Sequence, residues 1–198
     1  VVEPVPTRDH TERLLLRAAA ALEREGDPTR GFQTTVCNTD ELELEEIDIP
    51  GDMSSAAFLI AAGVLIRGSR LVLEDVGVNW TRTGFLRILE RMGAIVLGEA
   101  EEPGGFGDTE PACDLDVCHG PIEGTTVEAD EVPLAIDELP LVALLGCYAD
   151  GETVVRGAQE LRVKESDRID TVVSGLRGLG AEIEATADGF VVRGTGPL

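Results

Sequence analysis

Residues 138–185 have the sequence ELPLVALLGCYADGETVVRGAQELRVKESDRIDTVVSGLRGLGAEIEA. The apolar run at the start predicts a buried helix, and a glycine, a short strand and a polar loop follow it. Gly180 stands where a left-handed helix cap is expected, just before a further strand. A second helix is predicted because apolar residues recur at the i, i+3, i+4, i+7 spacing of one helical face: Ile169, Val172, Val173 and Leu176.

The same order of elements occurs earlier, in residues 54–99, SSAAFLIAAGVLIRGSRLVLEDVGVNWTRTGFLRILERMGAIVLGE. The two segments begin about 85 residues apart, a longer period than those of solenoid repeats, so they indicate a duplicated unit of domain size. Gly93 occupies the position of Gly180. The helical face again has the i, i+3, i+4, i+7 spacing: Phe85, Ile88, Leu89 and Met92.

Short β-branched runs, TVVR from Thr153 and GFVVRG from Gly189, predict strands, so the chain is expected to be a mixed α/β protein of βαβ-type units. A partial third copy is predicted at residues 6–26, PTRDHTERLLLRAAAALEREG, as a Thr-Arg pair, a helix and a glycine. Strands are expected in FQTTVC (32–37) and ELELEEI (41–47). The residues IPGDMSS (49–55) then indicate a crossover connection followed by the N-cap of a new helix.

The chain is strongly acidic, with 38 Asp and Glu residues against 16 Lys and Arg and a formal net charge of -22. This balance argues against a nucleic-acid partner, which needs a basic face. The carboxylates are dispersed and 43% of the residues are hydrophobic, so a folded protein is expected and not a disordered acidic tail. Dispersed acidity with almost no lysine favours a halophilic source.

The longest apolar run, residues 53–66, is shorter than the roughly 18 residues of a membrane span, and the N-terminus has no signal segment. We therefore expect a soluble, cytoplasmic protein. Cys113, Cys118 and His119 could form a metal cluster, but they lack Cys-x-x-Cys spacing and no second cluster accompanies them. Isolated thiols are the favoured interpretation.

Three predicted helix N-termini begin with polar or charged residues, at 7–11, 52–55 and 165–168. Stacked repeats would direct these ends toward a common region, and helix N-termini favour anions, so a phosphate-binding cleft is one interpretation. The alternative is that Asp52, Ser54, Ser166 and Asp167 are ordinary helix caps, which these residue types usually are.

Lys164 is the only lysine, and it stands beside Glu165 and four residues before Arg168. Lys164 and Arg168 can both reach one anion at a helix start, while Glu165 lies where a carboxylate can exchange protons with a ligand. A solvated charged turn is the alternative. The retained lysine favours function, because lysine provides a titratable point charge that arginine does not.

Asp137 is the other candidate. It lies in 134-LAIDELPLVALL-145, between an apolar strand-like run and an apolar helix. Burial there would raise its pKa and make it a useful base. It could also be a helix N-cap, with Pro140 near the helix start.

Five motifs together resemble the enolpyruvyl transferase family, and within it the members that act on shikimate 3-phosphate. Their order is that of the family, they cover nearly the whole chain, and the last two are the most specific. The motifs are TRDHTE (7–12), GDMSSAAF (51–58), NWTRTG (79–84), IDELP (136–140) and RVKESDR (162–168).

The resemblance implies an inside-out α/β barrel fold of repeated βαβαββ units, with helices inside and sheets outside. It implies two domains, here residues 1–49 and 50–198, with the active site between them. The implied reaction transfers the enolpyruvyl group of phosphoenolpyruvate to the 5-hydroxyl of shikimate 3-phosphate and releases phosphate, without metal or cofactor.

The resemblance also assigns roles residue by residue. Asp137 would contact the shikimate hydroxyls and accept a proton, and Glu165 would exchange a proton with the methylene carbon. Lys164 would bridge the substrates, and Arg168 would bind phosphoenolpyruvate. Thr7 stands where many members place a serine on the shikimate phosphate. Glu160 departs from an asparagine of some members and is left out of the site.

Two other functions remain open from the sequence. The chain could be a non-catalytic binding or structural module of this fold, or part of the sister transferase that acts on UDP-N-acetylglucosamine. In every case we expect the chain to be a piece of a longer protein, without that protein's N-terminal half and C-terminal end. We expect this piece to fold at least from Pro50 onward. It would need the rest of the parent chain to complete the site and turn over.

Overall fold

A computed structural model describes residues 1–196. The helices are α1 His10–Arg17, α2 Met53–Leu65, α3 Gly84–Arg91, α4 Val132–Ala135, α5 Leu139–Tyr148 and α6 Arg168–Gly178, with a 3₁₀ turn at Gln159–Arg162. The strands are β1 Val2–Glu3, β2 Leu22–Asp27, β3 Gly31–Val36, β4 Arg70–Gly77, β5 Ile95–Leu97, β6 Ala112–Cys118, β7 Thr126–Val127, β8 Glu152–Val155, β9 Glu182–Ala185 and β10 Phe190–Arg193. No helix within residues 1–196 is both long and apolar enough to cross a membrane.

The strands form separate sheets that follow the repeats in the sequence. β1, β3 and β2 form an antiparallel sheet in the order β1-β3-β2, and β4, β6 and β5 form another in the order β4-β6-β5. The remaining strands are ordered β7-β8-β10-β9, with β7 parallel to β8 and the other pairs antiparallel. Each predicted copy therefore has its own sheet.

Two apolar helices lie between the last two sheets. α2 packs against β4 and β6, α5 packs against β8 and β10, and the two helices contact each other. Ile60 on α2 and Leu145 on α5 are fully buried, whereas Phe58 and Leu59 on the outer side of α2 are exposed. Helices inside and sheets outside confirm the predicted α/β fold class.

The amphipathic helices also match their predicted spacing. Phe85, Ile88 and Leu89 of α3 are completely buried, and in α6 the buried residues are Ile169 and Val173. Burying one such large apolar side chain contributes about 1.5–3 kcal/mol, so the apolar stripe is enough to fix each helix on the core.

Aspartate caps begin two of the helices. Asp52 accepts a hydrogen bond from the Ser55 backbone N–H at 2.8 Å, and Asp167 accepts one from the Asp170 backbone N–H at 3.0 Å. The capping alternative is therefore correct for both aspartates. Ser54 makes a different contact, because its hydroxyl donates to Glu138.

The prediction of one continuous helix up to Gly26 was wrong. α1 ends at Arg17, Ala19 has a φ of 60°, and residues 22–27 form β2 paired with β3. The hairpin turn is stabilised by Asp27, whose carboxylate accepts from the Thr29 backbone N–H at 2.8 Å. A strand partner and a good turn outweigh the helix propensity of the alanine run.

Two strand predictions were also wrong. Residues 41–47 are irregular, and within the described chain no strand pairs with them, so their alternation of glutamate and leucine has no sheet to join. The apolar run before Asp137 is the short helix α4, which has Pro133 in its first turn, where proline is well tolerated.

Two glycines, one inside α6 and one after it, test where this helix ends. Gly175 lies within α6 and Gly180 after it at φ +101°, and a Cβ at either position would have no atom within 4 Å. We expect Gly175→Ala to raise the free energy of unfolding by about 0.5–1 kcal/mol, and Gly180→Ala to lower it by about 1–2 kcal/mol because of backbone strain alone. Urea unfolding measures both. Shifts of the same sign would contradict the assigned helix end.

Candidate active site

Four cationic side chains surround the carboxylate of Asp137, which lies in the turn between α4 and α5. Arg8 donates a hydrogen bond to Asp137 Oδ2. Arg82 Nη1 lies 3.6 Å from Oδ2, Lys164 Nζ lies 3.7 Å from Oδ1, and Arg168 Nη1 lies 3.6 Å from Oδ1. Asp52 and Glu138 also lie 3.8 Å from Arg82, and Glu165 lies 3.1 Å from Arg168. The four cations are nevertheless gathered at one place in an otherwise acidic protein, and guanidinium and ammonium groups are the side chains that bind phosphate and carboxylate anions.

Helix starts position three of the cations. Arg168 is the first residue of α6. Arg8 and Arg82 each directly precede the N-cap residue of a helix, Asp9 for α1 and Thr83 for α3. The free N–H groups of helix N-termini add partial positive charge to the guanidinium groups. The starts of α1 and α6, two of the three that were predicted to meet, therefore converge on Asp137, together with the start of α3, which was not among them.

The predicted direction of the Asp137 pKa was wrong. Burial alone would raise this pKa, but the hydrogen bond and charge of Arg8 and the charges of Lys164 and Arg82 lower it, and the net result lies below the ordinary value. Three remote segments supply these charges, so the neighbouring apolar sequence does not indicate them. Asp137 is therefore ionised near neutral pH, which is the form of a carboxyl group that can accept a proton.

The N-cap alternative for Asp137 was also wrong. The N-cap position of α5 belongs to Glu138, whose side chain makes no capping hydrogen bond, and Pro140 lies in the first turn as expected. The Asp137 carboxylate is thus not engaged by the backbone of α5 and is left to the surrounding cations.

Lys164 and Glu165 are neighbours in different environments. The Lys164 side chain is 24% exposed, whereas that of Glu165 is 84% exposed. Glu165 Oε2 accepts from Arg168 Nη2 at 3.1 Å. A hydrogen bond from its own backbone and the Arg168 guanidinium hold the pKa of Glu165 below its usual range. Glu165 is therefore an accessible, ionised carboxylate at the rim of the cation cluster.

Thr7 lies outside this cluster, because its exposed hydroxyl donates to Glu3. The adjacent Arg8 is the residue that reaches Asp137. Arg8 and Arg82 were not predicted as site residues, although a signal was available: each belongs to a Thr-Arg pair that precedes a helix, in two of the three copies of the repeat.

A second carboxyl group, Glu138, lies beneath the site and was also not predicted. Its side chain is 2% exposed, and Oε1 accepts from Ser54 Oγ at 2.5 Å. Burial raises the pKa of Glu138, against the lowering effects of the Ser54 hydrogen bond and the Arg82 charge. The two adjacent carboxyl groups, Asp137 and Glu138, thus have pKa values shifted in opposite directions.

A cavity of about 410 Å³ adjoins the cluster, and its lining includes Arg82 and Asp52, whose carboxylate lies 3.8 Å from Arg82 Nη2. Its remaining lining comes mainly from α1, from the start of α2 and from residues 47–51. Its position beside the cations provides space for a small-molecule ligand.

The repeated α/β units, with helices inside, sheets outside and a cation cluster at the helix starts, have the architecture expected of the enolpyruvyl transferase class. The profile of the EPSP synthase (3-phosphoshikimate 1-carboxyvinyltransferase) family matches residues 1–197, and the chain belongs to this family. It is 49% identical to the 3-phosphoshikimate 1-carboxyvinyltransferase of Desulforudis audaxviator over 195 residues, which are 98% of this chain and 43% of that protein. The Bacillus thuringiensis (strain Al Hakam) enzyme of the same name is 43% identical over 198 residues, 100% of this chain and 44% of that protein.

Solved structures agree with the sequence relatives. An EPSP synthase structure from Acinetobacter baumannii superposes with a TM-score of 0.86 at 39% identity and covers 100% of this chain and 43% of its own. The enolpyruvyl transferase NikO from Streptomyces tendae has a TM-score of 0.65 at 20% identity, covers 98% of this chain and 42% of its own, and shares the fold alone. The chain thus spans less than half the length of these relatives.

Proposed function

We propose that the whole protein containing these residues transfers the enolpyruvyl group of phosphoenolpyruvate to the 5-hydroxyl of shikimate 3-phosphate and releases phosphate. The observation that carries the proposal is the convergence of Arg8, Lys164 and Arg168 on Asp137 in a member of the EPSP synthase family. Both substrates are phosphorylated anions. A cluster of preorganised cations is what such a pair of ligands requires.

The cations have distinct tasks in this proposal. Arg168 binds phosphoenolpyruvate, and Lys164 lies between the two anions as a compact ammonium group. Arg8 is placed to bind the shikimate phosphate, beside Thr7, whose hydroxyl can turn from Glu3 to the same phosphate. Each charge-assisted hydrogen bond that forms replaces part of the ion pairing to Asp137.

The two carboxylates move the protons. Asp137 accepts the proton of the 5-hydroxyl as the hydroxyl oxygen forms the new bond to C2 of phosphoenolpyruvate. The methylene carbon gains a proton from Glu165, which is ionised in the free chain and first takes up a proton from solvent. In the elimination Glu165 takes a proton back from the resulting methyl group, the bond between C2 and the phosphate oxygen breaks, and phosphate leaves with the proton that Asp137 accepted.

The remaining part of the active site is proposed to come from the rest of the parent chain, since this chain covers only 43–44% of the length of its relatives. We also propose that residues 1–49 and 50–198 belong to different domains. The separate sheet β1-β3-β2 in the first range supports this division. The chain alone is then expected to be inactive.

An assay with two acceptors tests the proposed substrate. The full-length protein is given phosphoenolpyruvate with either shikimate 3-phosphate or UDP-N-acetylglucosamine, in concentrated KCl, because we further propose that an acidic chain with net charge -22 works in a salt-rich cytoplasm. Phosphate release is expected only with shikimate 3-phosphate. Release only with the nucleotide sugar would assign the protein to the sister reaction.

Lys164→Arg tests the task of the single lysine. We expect kcat of the full-length protein to fall about 10–100-fold, the effect of losing one charge-assisted hydrogen bond of about 1.5–3 kcal/mol, because the wider guanidinium cannot replace a compact ammonium between two anions. The reciprocal control is Arg193→Lys, at an exposed pair with Glu152, where turnover should not change. Near-normal turnover of Lys164→Arg would refute the assignment.

A further inference from the structure

Arg82 differs from the other cations around Asp137 because its side chain is largely buried and hydrogen-bonded to Ser54. Its side chain is 13% exposed, against 49% for Arg8 and 35% for Arg168. Arg82 Nη2 donates to Ser54 Oγ at 2.5 Å, while Nη1 faces Asp137 Oδ2 at 3.6 Å. One edge of the guanidinium is therefore anchored, and the other faces the carboxylate.

Ser54 and Glu138 form the anchor. The Ser54 hydroxyl accepts from Arg82 and donates to Glu138 Oε1 at 2.5 Å, which uses its single donor hydrogen and one of its two acceptor lone pairs. Glu138 Oε1 is also 3.8 Å from Arg82 Nη2. The other oxygen, Glu138 Oε2, is buried and has no hydrogen-bond partner among the described residues. Burying a carboxyl oxygen without a hydrogen-bond partner costs free energy. The link from Glu138 through Ser54 to Arg82 gives this buried group a structural role.

The three more exposed cations do not stay paired with Asp137 throughout the proposed reaction. Arg8, Lys164 and Arg168 are the groups that bind the substrate anions, so each reduces its interaction with Asp137 when the substrates arrive. Arg82 has little exposed surface and a fixed anchor, so it stays. The groups that face Asp137 are these four cations and the neighbouring carboxyl of Glu138.

We propose that Arg82, held by Ser54 and Glu138, is the positioning residue that keeps Asp137 ionised and in place while the exposed cations bind the substrate anions. This inference rests on the proposed function and adds to it a residue that acts through Asp137. Its charge is one of the influences that lower the pKa of Asp137, after the opposing effect of burial and the contributions of Arg8 and Lys164. Removing it should therefore raise that pKa.

The first test does not depend on turnover. The carboxyl carbon of Asp137 in the full-length protein, assigned with Asp137→Asn, is titrated by NMR with and without saturating inorganic phosphate. We expect the midpoint in Arg82→Gln to lie at higher pH than in the unmodified protein, with the larger difference in the presence of phosphate. Arg82→Lys, which keeps the charge, should restore most of the original midpoint, and the control Arg70→Gln, at an exposed pair with Asp116, should not move it. An Arg82→Gln midpoint equal to that of the unmodified protein would overturn the proposal.

Ser54→Ala provides the same test if Arg82→Gln does not fold. It removes the bridge to Glu138 and keeps the Arg82 charge, so the midpoint should move in the same direction by a smaller amount. An unchanged midpoint in Ser54→Ala would then refute the anchoring role.

Kinetics distinguish positioning from substrate binding. In Arg82→Gln we expect kcat to fall about tenfold or more, because the general base Asp137 is no longer held in place, with the acid limb of the pH profile displaced upward and the KM for phosphoenolpyruvate within about threefold. A loss confined to KM would show that Arg82 binds an anion itself and would overturn the positioning role. If the unmodified protein does not use these substrates, the proposed function fails, while the phosphate-dependent titration still decides the role of Arg82.

Discussion

Asp9→Ala is expected to lower the free energy of unfolding of the full-length protein by about 3–5 kcal/mol, the usual cost of removing one partner of a buried ion pair. Asp9 is completely buried. Its Oδ1 accepts from Arg13 Nε at 2.9 Å and Asn79 Nδ2 at 2.7 Å, and its Oδ2 accepts from Arg24 Nη1 at 2.8 Å. The substitution would leave two buried guanidinium groups without this carboxylate.

The neighbours of Asp9 cannot easily compensate. The Arg24 guanidinium carbon lies 3.9 Å from the ring centroid of Phe32 and 4.5 Å from that of Phe106, and two of its nitrogens are already buried without a partner among the described residues. Arg13 retains Glu101, which accepts from Nη2 at 2.8 Å. Most of the lost free energy of unfolding should therefore come from Arg24, which would be left buried without a carboxylate partner.

Denaturant unfolding measures this effect, with Asp116→Ala as the control. Asp116 forms an exposed ion pair with Arg70, and exposed pairs contribute little, so the midpoint should barely change. Equal, small losses in both variants would contradict a structural role for the buried cluster.

The pH dependence of the Asp9 contribution follows from its pKa. Burial would raise the pKa of Asp9, but the hydrogen bonds from Arg13 and Asn79 and the charge of Arg13 lower it below the unfolded value. The stabilisation is present above the unfolded pKa and is lost as pH falls through the folded pKa. Asp9→Ala should therefore show a weaker loss of stability on acidification than the unmodified protein.

Asp137→Asn is expected to reduce kcat of the full-length protein by about 10²–10⁴-fold, the range for removing a positioned general base. The amide keeps the size of the side chain but cannot accept the hydroxyl proton. The KM for phosphoenolpyruvate should change little or decrease, because Lys164 and Arg168 lose a competing partner. A steady-state assay of phosphate release gives both values.

The control for this substitution is Asp130→Asn, an exposed residue of the loop before α4. Its turnover should equal that of the unmodified protein. Retention of more than about a third of kcat in Asp137→Asn would be too small a loss for a general base and would remove Asp137 from that role.

The sequence predicted those parts of the fold that rest on local pattern. The spacing of Phe85, Ile88 and Leu89 predicted α3 because a helix buries one stripe of its surface, and Gly93 and Gly180 both have the positive φ expected of a cap. The helix through residues 18–26 was predicted incorrectly because the aromatic contacts of Arg24 and the pairing of β2 with β3 depend on distant residues.

The site was predictable only in part for the same reason. Asp137 was indicated by the motif IDELP, and Lys164 by the motif RVKESDR and by being the only lysine in the sequence. Arg8, however, meets Asp137 across 129 positions of sequence, and no local periodicity indicates such a contact. The direction of the Asp137 pKa depends on these remote cations, and the buried partner of Arg82 is visible only once α2 and α5 are packed together.

The central claim is that this chain provides one part of an enolpyruvyl transfer site. Phosphate release from shikimate 3-phosphate and phosphoenolpyruvate in concentrated KCl tests it most directly, for residues 1–198 alone, for the full-length protein and for its Asp137→Asn variant. Our account predicts release by the unmodified full-length protein only. No release by that protein, shown to be folded under the same conditions, or undiminished release by the variant, would contradict the account.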